Sequence, residues 1–212
     1  MKWPAPEEFV KLMPLPGGYR AERICREHIA PLTASIRNWH PDIAVGANSC
    51  YLREDFYHDR VCLDGEDERD IYVLTVWSDD ELVGMWSAER EADSLALYGR
   101  LIIMAPAHRG AKVTVMIMAG FENVGPVMGA AFLYCMVTLK NPYLQRTFED
   151  GGYRLLGFMP GYDRQVVAPG VVKRVYQAVY AKLLVPEHEV HRPDPMNMTP
   201  RAKALFELLF SN

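Results

Sequence analysis

The segment from Arg100 to Thr114 constrains the fold most strongly. Its apolar run, residues 101–104, ends just before Pro106, and the basic turn Arg109-Gly110 leads into residues with helical apolar spacing. This pattern predicts a strand, a tight turn and a helix in direct succession. The first amides of a helix have no partner within it, and the helix dipole favours negative charge there. The turn is therefore a candidate anion site.

Composition limits the class of protein. A length of 212 residues predicts one domain with terminal extensions, and a formal net charge of -4 argues against a nucleic-acid binder. The four cysteines include no CxxC pair, which indicates free thiols in a reducing compartment and no zinc site. The N-terminal residues lack a signal-peptide core, and no apolar run reaches the roughly 20 residues that span a bilayer. We therefore expect a cytoplasmic protein with no membrane partner.

The chain divides into three parts. Residues 1–18 contain four prolines and are expected to form an irregular arm. Residues 19–185 carry the alternating strand and helix patterns of a domain. Residues 186–212 predict a proline-rich linker and a final amphipathic helix that is capped by Thr199-Pro200.

Hydrophobic periodicity predicts the order of elements within the central part. A strand and two helices come first, then a meander of three strands, and then helix, strand, helix, strand and strand. The strand near residues 131–139 is almost continuously apolar and is expected to be buried on both faces. The predicted strands cover residues 19–24, 71–77, 81–89, 94–104, 131–139, 153–159 and 171–184, and the predicted helices cover residues 25–39, 50–62, 110–123 and 141–150.

This order and the local motifs resemble the GNAT acyltransferase superfamily over roughly residues 19–184. The phosphate-binding motif of that family is a basic or amide residue, two variable residues, a glycine, one variable residue and then glycine or alanine. Arg109 matches its first position, and Lys112 and Thr114 take its two small positions. The resemblance implies an α/β (α+β) fold. Its central sheet would be mixed and mostly antiparallel, with about six to seven strands, and flanked by helices.

The resemblance also implies acetyl-CoA as a co-substrate and no metal. Its pyrophosphate would lie at the basic turn, and its pantetheine arm would lie beside the end of the fourth strand, where that strand separates from the fifth. A second anchor after the fifth strand matches Asn141, Phe148 and Gly152-Tyr153. The residues implied for binding are Ile103, Met104, Arg109, Gly110, Ala111, Lys112, Val113, Thr114, Asn141 and Phe148.

The implied reaction is direct transfer of an acetyl group to an amine of a small molecule or a protein. The family places a tyrosine where this chain has Phe148, which carries no hydroxyl to protonate a leaving thiolate. Tyr143, Tyr134 or solvent would have to supply that proton. A carboxylate, Glu89 in preference to Glu91, would take the amine proton. Tyr98, on the facing strand, would orient the acceptor.

Plainer interpretations stay open beside this one. Arg109 alone is typical of a solvated surface arginine, Glu89 and Glu91 of exposed strand residues, and Tyr143 of a packing residue. The chain is alternatively a non-catalytic binding or assembly protein of the same fold. It is also a candidate homodimer that associates through its arm and C-terminal helix. The sequence does not identify the amine.

Overall fold

One mixed sheet forms the centre of the protein in a computed structural model that describes residues 1–110 and 112–210. Its strands are β1 (Tyr19–Arg23), β2 (Ile71–Ser78), β3 (Glu81–Glu91), β4 (Ala96–Met104), β5 (Phe132–Thr138), β6 (Arg154–Ala168) and β7 (Val171–Leu183). They are arranged in the order β1-β2-β3-β4-β5-β7-β6. Neighbouring strands are antiparallel except for β4 and β5, which are parallel. The predicted fold class is confirmed.

The helices cover both faces of this sheet. They are α1 (Pro6–Leu12), α2 (Arg26–Trp39), α3 (Glu54–Arg60), α4 (Val113–Val127) and α5 (Tyr143–Asp150), whereas α6 (Pro200–Phe210) has no buried residue among those described. Buried side chains of α1, α4 and α5 belong to one apolar cluster, which we call the first core. Those of α2 and α3 belong to a separate cluster, the second core.

The sheet separates the two cores, as the alternation along β2 shows. Tyr72 and Leu74 point into the first core, whereas Ile71 and Val73 point into the second. Successive side chains of a strand lie on opposite faces, so a strand covered on both sides has apolar residues at nearly every position. This packing explains why the first six residues of β2 are all buried.

The N-terminal residues are not the predicted irregular arm. Pro6 occupies the first turn of α1, where its missing amide hydrogen costs no helical hydrogen bond. Trp3, Phe9 and Met13 are buried in the first core, and the Phe9 ring stacks on Tyr72 with centroids 4.4 Å apart. Burial of these apolar side chains gives the segment a defined structure despite its prolines. The boundary predicted at residue 18 therefore does not separate an arm from the core.

Two other predicted elements also differ. The helix predicted for residues 50–62 is a 3₁₀ helix, Ala47–Leu52, followed by α3. The strand predicted for residues 153–159 extends to Ala168, because an irregularity in the β6–β7 register between Met159 and Asp163 accommodates Pro160 and Gly161. The long β6–β7 hairpin that results places Asp163 against the Ala47 amide, in the loop after α2.

The described C-terminal residues form α6 and the segment that leads to it. Short 3₁₀ turns precede α6, and the Thr199 side chain accepts a hydrogen bond from the Ala202 amide at 3.2 Å, as an N-cap does.

Among the described residues, no helix has the length and apolar character needed to cross a bilayer. The same residues contain no group of three or more His, Cys, Asp or Glu side chains arranged to hold a metal ion.

Candidate acyl-transfer site

The sheet opens between its two parallel strands. Residues Ala96 to Gly99 of β4 pair with Phe132 to Cys135 of β5, and the pairing then stops although both strands continue. Beyond that point β4 stays paired with β3, and β5 with β7. We call the place where β4 and β5 separate the fork.

Gly99 and Cys135 form the closed end of the fork. A Cβ atom on Gly99 would lie 2.4 Å from the Cys135 Sγ and 3.3 Å from the Phe121 ring. Both distances are below ordinary van der Waals separation. Glycine at position 99 therefore allows the strands to meet closely just before they part.

A cavity of about 340 Å³ occupies the fork. The first core contributes an apolar wall, while the opposite side is polar and is covered by the loop after α2 and by the β6–β7 hairpin. Side chains alternate along β5 between buried and half-buried. The expectation that β5 is buried on both faces is therefore wrong, because one face borders this cavity. The residues that line the cavity include Ile102, Met118, Phe121, Leu144 and Phe148 on the apolar side, and Tyr98, Arg100, Thr138, Tyr162, Asp163 and Gln177 on the polar side.

A bulge in β4 directs Arg100 into the cavity. Ser87 pairs with Leu101 and Ala88 with Gly99, so Arg100 is the extra residue. Its Nε donates a hydrogen bond to the Tyr51 hydroxyl at 3.1 Å, and the Tyr51 hydroxyl donates to the Ser87 Oγ at 2.6 Å. Burial raises the pKa of Tyr51 to about 12, so its hydroxyl stays protonated at neutral pH.

Glu89 is held by two arginines. Its carboxylate forms an ion pair with Arg100, and its second oxygen lies 3.5 Å from the Arg60 Nη2. Glu89 pairs with Tyr98 across β3 and β4, but Tyr98 lines the cavity and Glu89 does not. Of these two predicted catalytic residues, only Tyr98 borders the cavity.

Tyr98 stacks on Tyr134 of β5, with ring centroids 4.8 Å apart and an interplanar angle of 12°. The Tyr134 hydroxyl donates to the Glu91 Oε1 at 2.5 Å. Burial raises the pKa of both tyrosines, so each is a neutral phenol at physiological pH. The hydroxyl of Tyr134 is already committed to Glu91.

The residues predicted on α5 have distinct surroundings. Phe148 is buried, lines the cavity and stacks on Tyr180 with centroids 5.7 Å apart. Tyr143, at the start of the helix, is 75% exposed and does not line the cavity. The Asn141 side chain accepts a hydrogen bond from the Tyr143 amide at 3.2 Å, so Asn141 helps to begin the helix.

The basic turn lies between the end of β4 and the start of α4. Gly110 has φ of +91°, and Lys112, the N-cap of α4, has left-handed backbone angles with φ of +58°. Among the described residues, no side chain caps this helix N-terminus. Val113 is buried and Thr114 is half-buried in the first turn, whereas Ala111 lies outside the described residues. Backbone amides at such a helix start typically donate hydrogen bonds to a bound anion.

Arg109 connects three elements. Its Nε donates to the Met104 carbonyl at 3.2 Å, and its Nη2 donates to the Trp39 carbonyl at 2.9 Å. The same Nη2 lies 3.0 Å from the His40 Nε2. Burial, and then the nearby Arg109 charge, lower the pKa of His40, so the neutral ring accepts this hydrogen bond. The guanidinium thereby fastens the end of α2 to the end of β4.

The end of β4 carries the other predicted binding residues. Ile103 and Met104 are both buried, and Ile103 also lines the cavity. The Ala105 amide donates to the Val83 carbonyl, so the backbone groups of Met104 point away from β3 and toward the fork. Met104 offers the carbonyl that Arg109 binds.

Sequence reasoning missed Asp163, a buried residue of β6 that lines the polar side of the cavity. Its Oδ1 accepts hydrogen bonds from the Ala47 amide at 2.7 Å and the Arg164 amide at 2.8 Å. Gly46 permits this contact, because a Cβ there would lie 2.3 Å from the same oxygen. An isolated aspartate after Pro-Gly-Tyr gives no sequence signal, since its partner Ala47 is 116 residues away.

Comparisons with known proteins support the fold and give no closer assignment. No protein-family profile matches the chain, and no curated protein matches it. Among solved structures, the chain is similar to RimL, the ribosomal L7/L12 α-N-protein acetyltransferase. The identity is 11%, the TM-score is 0.57, and the match covers 81% of this chain and 97% of RimL.

Two further structures give the same result. A variant of the spermidine N-acetyltransferase SpeG from Vibrio cholerae is 13% identical with a TM-score of 0.61, over 79% of this chain and 95% of SpeG. The IAA acetyltransferase from Bacillus cereus is 12% identical with a TM-score of 0.56, over 78% of this chain and 99% of its own length. At these identities the likeness concerns the fold. The chain has the GNAT acetyltransferase fold, as its motifs indicated.

Proposed function

We propose that this protein transfers an acetyl group from acetyl-CoA directly to an amine of a small molecule or a peptide. The observation that carries the proposal is the fork. Two parallel strands separate around a cavity, and the strand that leaves the fork leads into a helix N-terminus without a side-chain cap among the described residues. The acetyltransferases that share the fold support the same class of reaction.

A thioester with a long, mostly apolar arm suits this cavity. The wall formed by Met118, Phe121 and Phe148 offers apolar contact for the arm. The backbone amide of Met104 points into the fork and is proposed to donate to a carbonyl of the arm, since the Met104 carbonyl accepts from Arg109. We propose that the thioester carbonyl lies near the bulge at Arg100, where positioning beside the acceptor supplies most of the rate enhancement.

The proposed site for the pyrophosphate is the turn before α4. The amides of Gly110, Val113 and Thr114 would bind its oxygens, together with Ala111, for which the sequence alone makes the prediction. Lys112 and Arg109 would add positive charge. Since Arg109 is bound to two carbonyls and to His40, we assign it mainly to holding the turn in place.

The catalytic proposals follow from the surroundings of each side chain. Tyr98 lines the cavity and is proposed to orient the acceptor. Glu89, predicted as the base, is proposed instead to position Arg100, because both of its oxygens face arginines. Tyr143 is largely exposed, so solvent is proposed both to take the proton that the amine loses and to protonate the leaving thiolate. Tyr143→Phe is therefore expected to change the rate less than about twofold.

Calorimetry with acetyl-CoA tests the proposal directly. We expect a dissociation constant below the millimolar range for the full chain, and about tenfold weaker binding for Arg109→Ala, because the turn loses its anchor to β4. Arg201→Ala, on the exposed surface of α6, is the matched control and should bind as the unmodified protein does. Absence of binding at millimolar acetyl-CoA would refute the proposal.

A second candidate function is a non-catalytic binding or assembly protein of the same fold. Two observations favour it: Phe148 offers no hydroxyl at the cavity, and Lys112 stands in left-handed backbone geometry at a position where the family has glycine. Acetyl transfer to any member of a broad amine panel, above the uncatalysed rate, would exclude this candidate. Binding of acetyl-CoA without transfer would favour it.

A further inference from the structure

The polar side of the cavity holds one carboxylate whose charge is not matched by a cation. Asp163 is 9% exposed and lines the cavity. Its hydrogen-bond donors are the Ala47 and Arg164 amides and the Gln177 Nε2, the last at 3.3 Å. All three donors are neutral. Over the part of the chain that the structure describes, no lysine, arginine or histidine forms an ion pair with Asp163 within 4.0 Å.

The other carboxylates near the cavity differ in this respect. Asp42 also lines it, but its Oδ2 is 3.0 Å from the Lys140 Nζ. Glu89, behind the lining, pairs with Arg100. A buried charge is costly unless an opposite charge lies near it. Asp163 thus has the position and the chemistry of a group whose counterion arrives with a ligand.

The geometry around the carboxylate leaves room for that counterion. An ionised carboxylate accepts about four hydrogen bonds, and the described donors supply three. Two of them bind Oδ1, so the remaining capacity is on Oδ2. Tyr162 lines the same side of the cavity, and aromatic faces attract cations. The ring of Tyr98 already contacts Tyr134 and Arg100.

We infer that Asp163 binds the ammonium group of the acceptor, which loses one proton to solvent before its nitrogen attacks the thioester, and so determines which amines the site accepts. The inference rests on the proposed acetyl transfer, which it makes more specific. Cations that line the cavity are already engaged in two cases, Arg100 with Glu89 and Lys140 with Asp42. Arg164, exposed beside Asp163, is the side chain that would compete with an ammonium group.

The test compares two variants that keep the backbone hydrogen bonds of this region. Asp163→Asn removes the charge but keeps an oxygen that accepts from the Ala47 and Arg164 amides. Arg164→Gln is the matched control, because it removes the competing cation. Acetyl-CoA binding by calorimetry comes first, as a check that each variant retains its fold and its donor site.

Initial rates are then measured at saturating acetyl-CoA with butylamine, putrescine, 2-phenylethylamine and a lysine-containing peptide. For the fastest of these amines, we expect Asp163→Asn to raise KM about 30-fold with little change in acetyl-CoA affinity. A rise in KM of this size is typical when one partner of a buried charge pair is removed. Arg164→Gln should leave KM unchanged or lower it. An equal KM for Asp163→Asn and the unmodified protein would overturn the inference. So would a KM that rises with Arg164→Gln as much as with Asp163→Asn.

A measurement on the unmodified protein gives the same answer without a substitution. The alcohol that corresponds to the best amine lacks the cation, and should inhibit at concentrations at least about tenfold above the KM of the amine. Inhibition at concentrations equal to that KM would overturn the inference. These outcomes differ from failure of the proposed function, which would appear earlier as absent acetyl-CoA binding or as no acetylation of any amine.

Discussion

Adding one methyl group at the closed end of the fork tests the geometry on which the acyl-transfer proposal depends. Gly99→Ala places a Cβ 2.4 Å from the Cys135 Sγ and 3.3 Å from the Phe121 ring. Because carbon–sulfur contacts of this kind normally exceed 3.5 Å, the sulfur has to move by roughly 1 Å within a packed core. Such overpacking costs about 2 kcal/mol of unfolding free energy, and the smaller unfolded-state entropy of alanine returns about 0.7 kcal/mol.

The substitution Cys135→Ala makes the test more specific, because it removes the sulfur atom that the new methyl group of Gly99→Ala would contact. Alone, Cys135→Ala leaves a small void and should lower the unfolding free energy by about 1 kcal/mol. Combined with Gly99→Ala, the new methyl group occupies the vacated space. The double variant should therefore be more stable than the sum of the single changes predicts, with a coupling of about 1.5 kcal/mol.

Urea unfolding followed by far-ultraviolet circular dichroism measures all four proteins of this cycle. The slope of free energy against urea should stay constant, so that differences in midpoint report stability. If the two substitutions are additive within about 0.5 kcal/mol, the close approach of Gly99 to Cys135 is refuted. The closed end of the fork would then have to lie elsewhere.

Three further substitutions test the turn, the loop and the pH response. Lys112→Gly should raise the unfolding free energy by about 1 kcal/mol, because glycine tolerates the left-handed backbone at this N-cap. The same change at Lys203, inside α6, should instead be destabilising, and equal effects at both sites would contradict the assignment. Gly46→Ala should cost about 3 kcal/mol in a thermal or urea melt, through its φ of +93° and the loss of the Asp163 hydrogen bond. A cost below about 1 kcal/mol would mean that this loop does not touch β6. Burial lowers the pKa of His40 from 6.5 in the folded protein, so the unfolded chain binds more protons and stability falls as pH drops below 6.5. His40→Gln should make the pH dependence of unfolding shallower on the acid side, and an unchanged slope would count against a neutral His40.

Local periodicity was sufficient to predict most of the sheet. The strands that carry alternating or continuous apolar runs, such as β2 and β3, begin and end within two residues of their predicted limits. The N-terminal residues misled the prediction because prolines mark both loops and helix starts, and only tertiary contact with Tyr72 shows which applies here. Similarly, the strand predicted for residues 153–159 stops before Pro160, whereas pairing with β7 carries β6 past that residue.

The candidate site was less accessible to sequence reasoning, because its contacts join distant parts of the chain. Arg109 was singled out by its place in a strand-turn-helix pattern, but its partner Trp39 lies 70 residues earlier. Asp163 was not singled out at all, and its contact to Ala47 follows only from the length of the β6–β7 hairpin. Spacing identifies residues near one turn. It does not identify those that the sheet brings together across the cavity.

Local rules of stability are broken at several places around the fork. β4 and β5 give up their pairing, Lys112 has a backbone conformation that suits glycine, and Asp163 is buried without a cation among the described residues. Chains tolerate such departures where a ligand compensates for them, so their concentration in one region is itself an argument about function. An acyl donor filling the fork would restore contacts to the separated strands, and its diphosphate would meet the start of α4. An ammonium group would neutralise Asp163. If the proposed function holds, one bound pair of reactants would compensate for all of these departures.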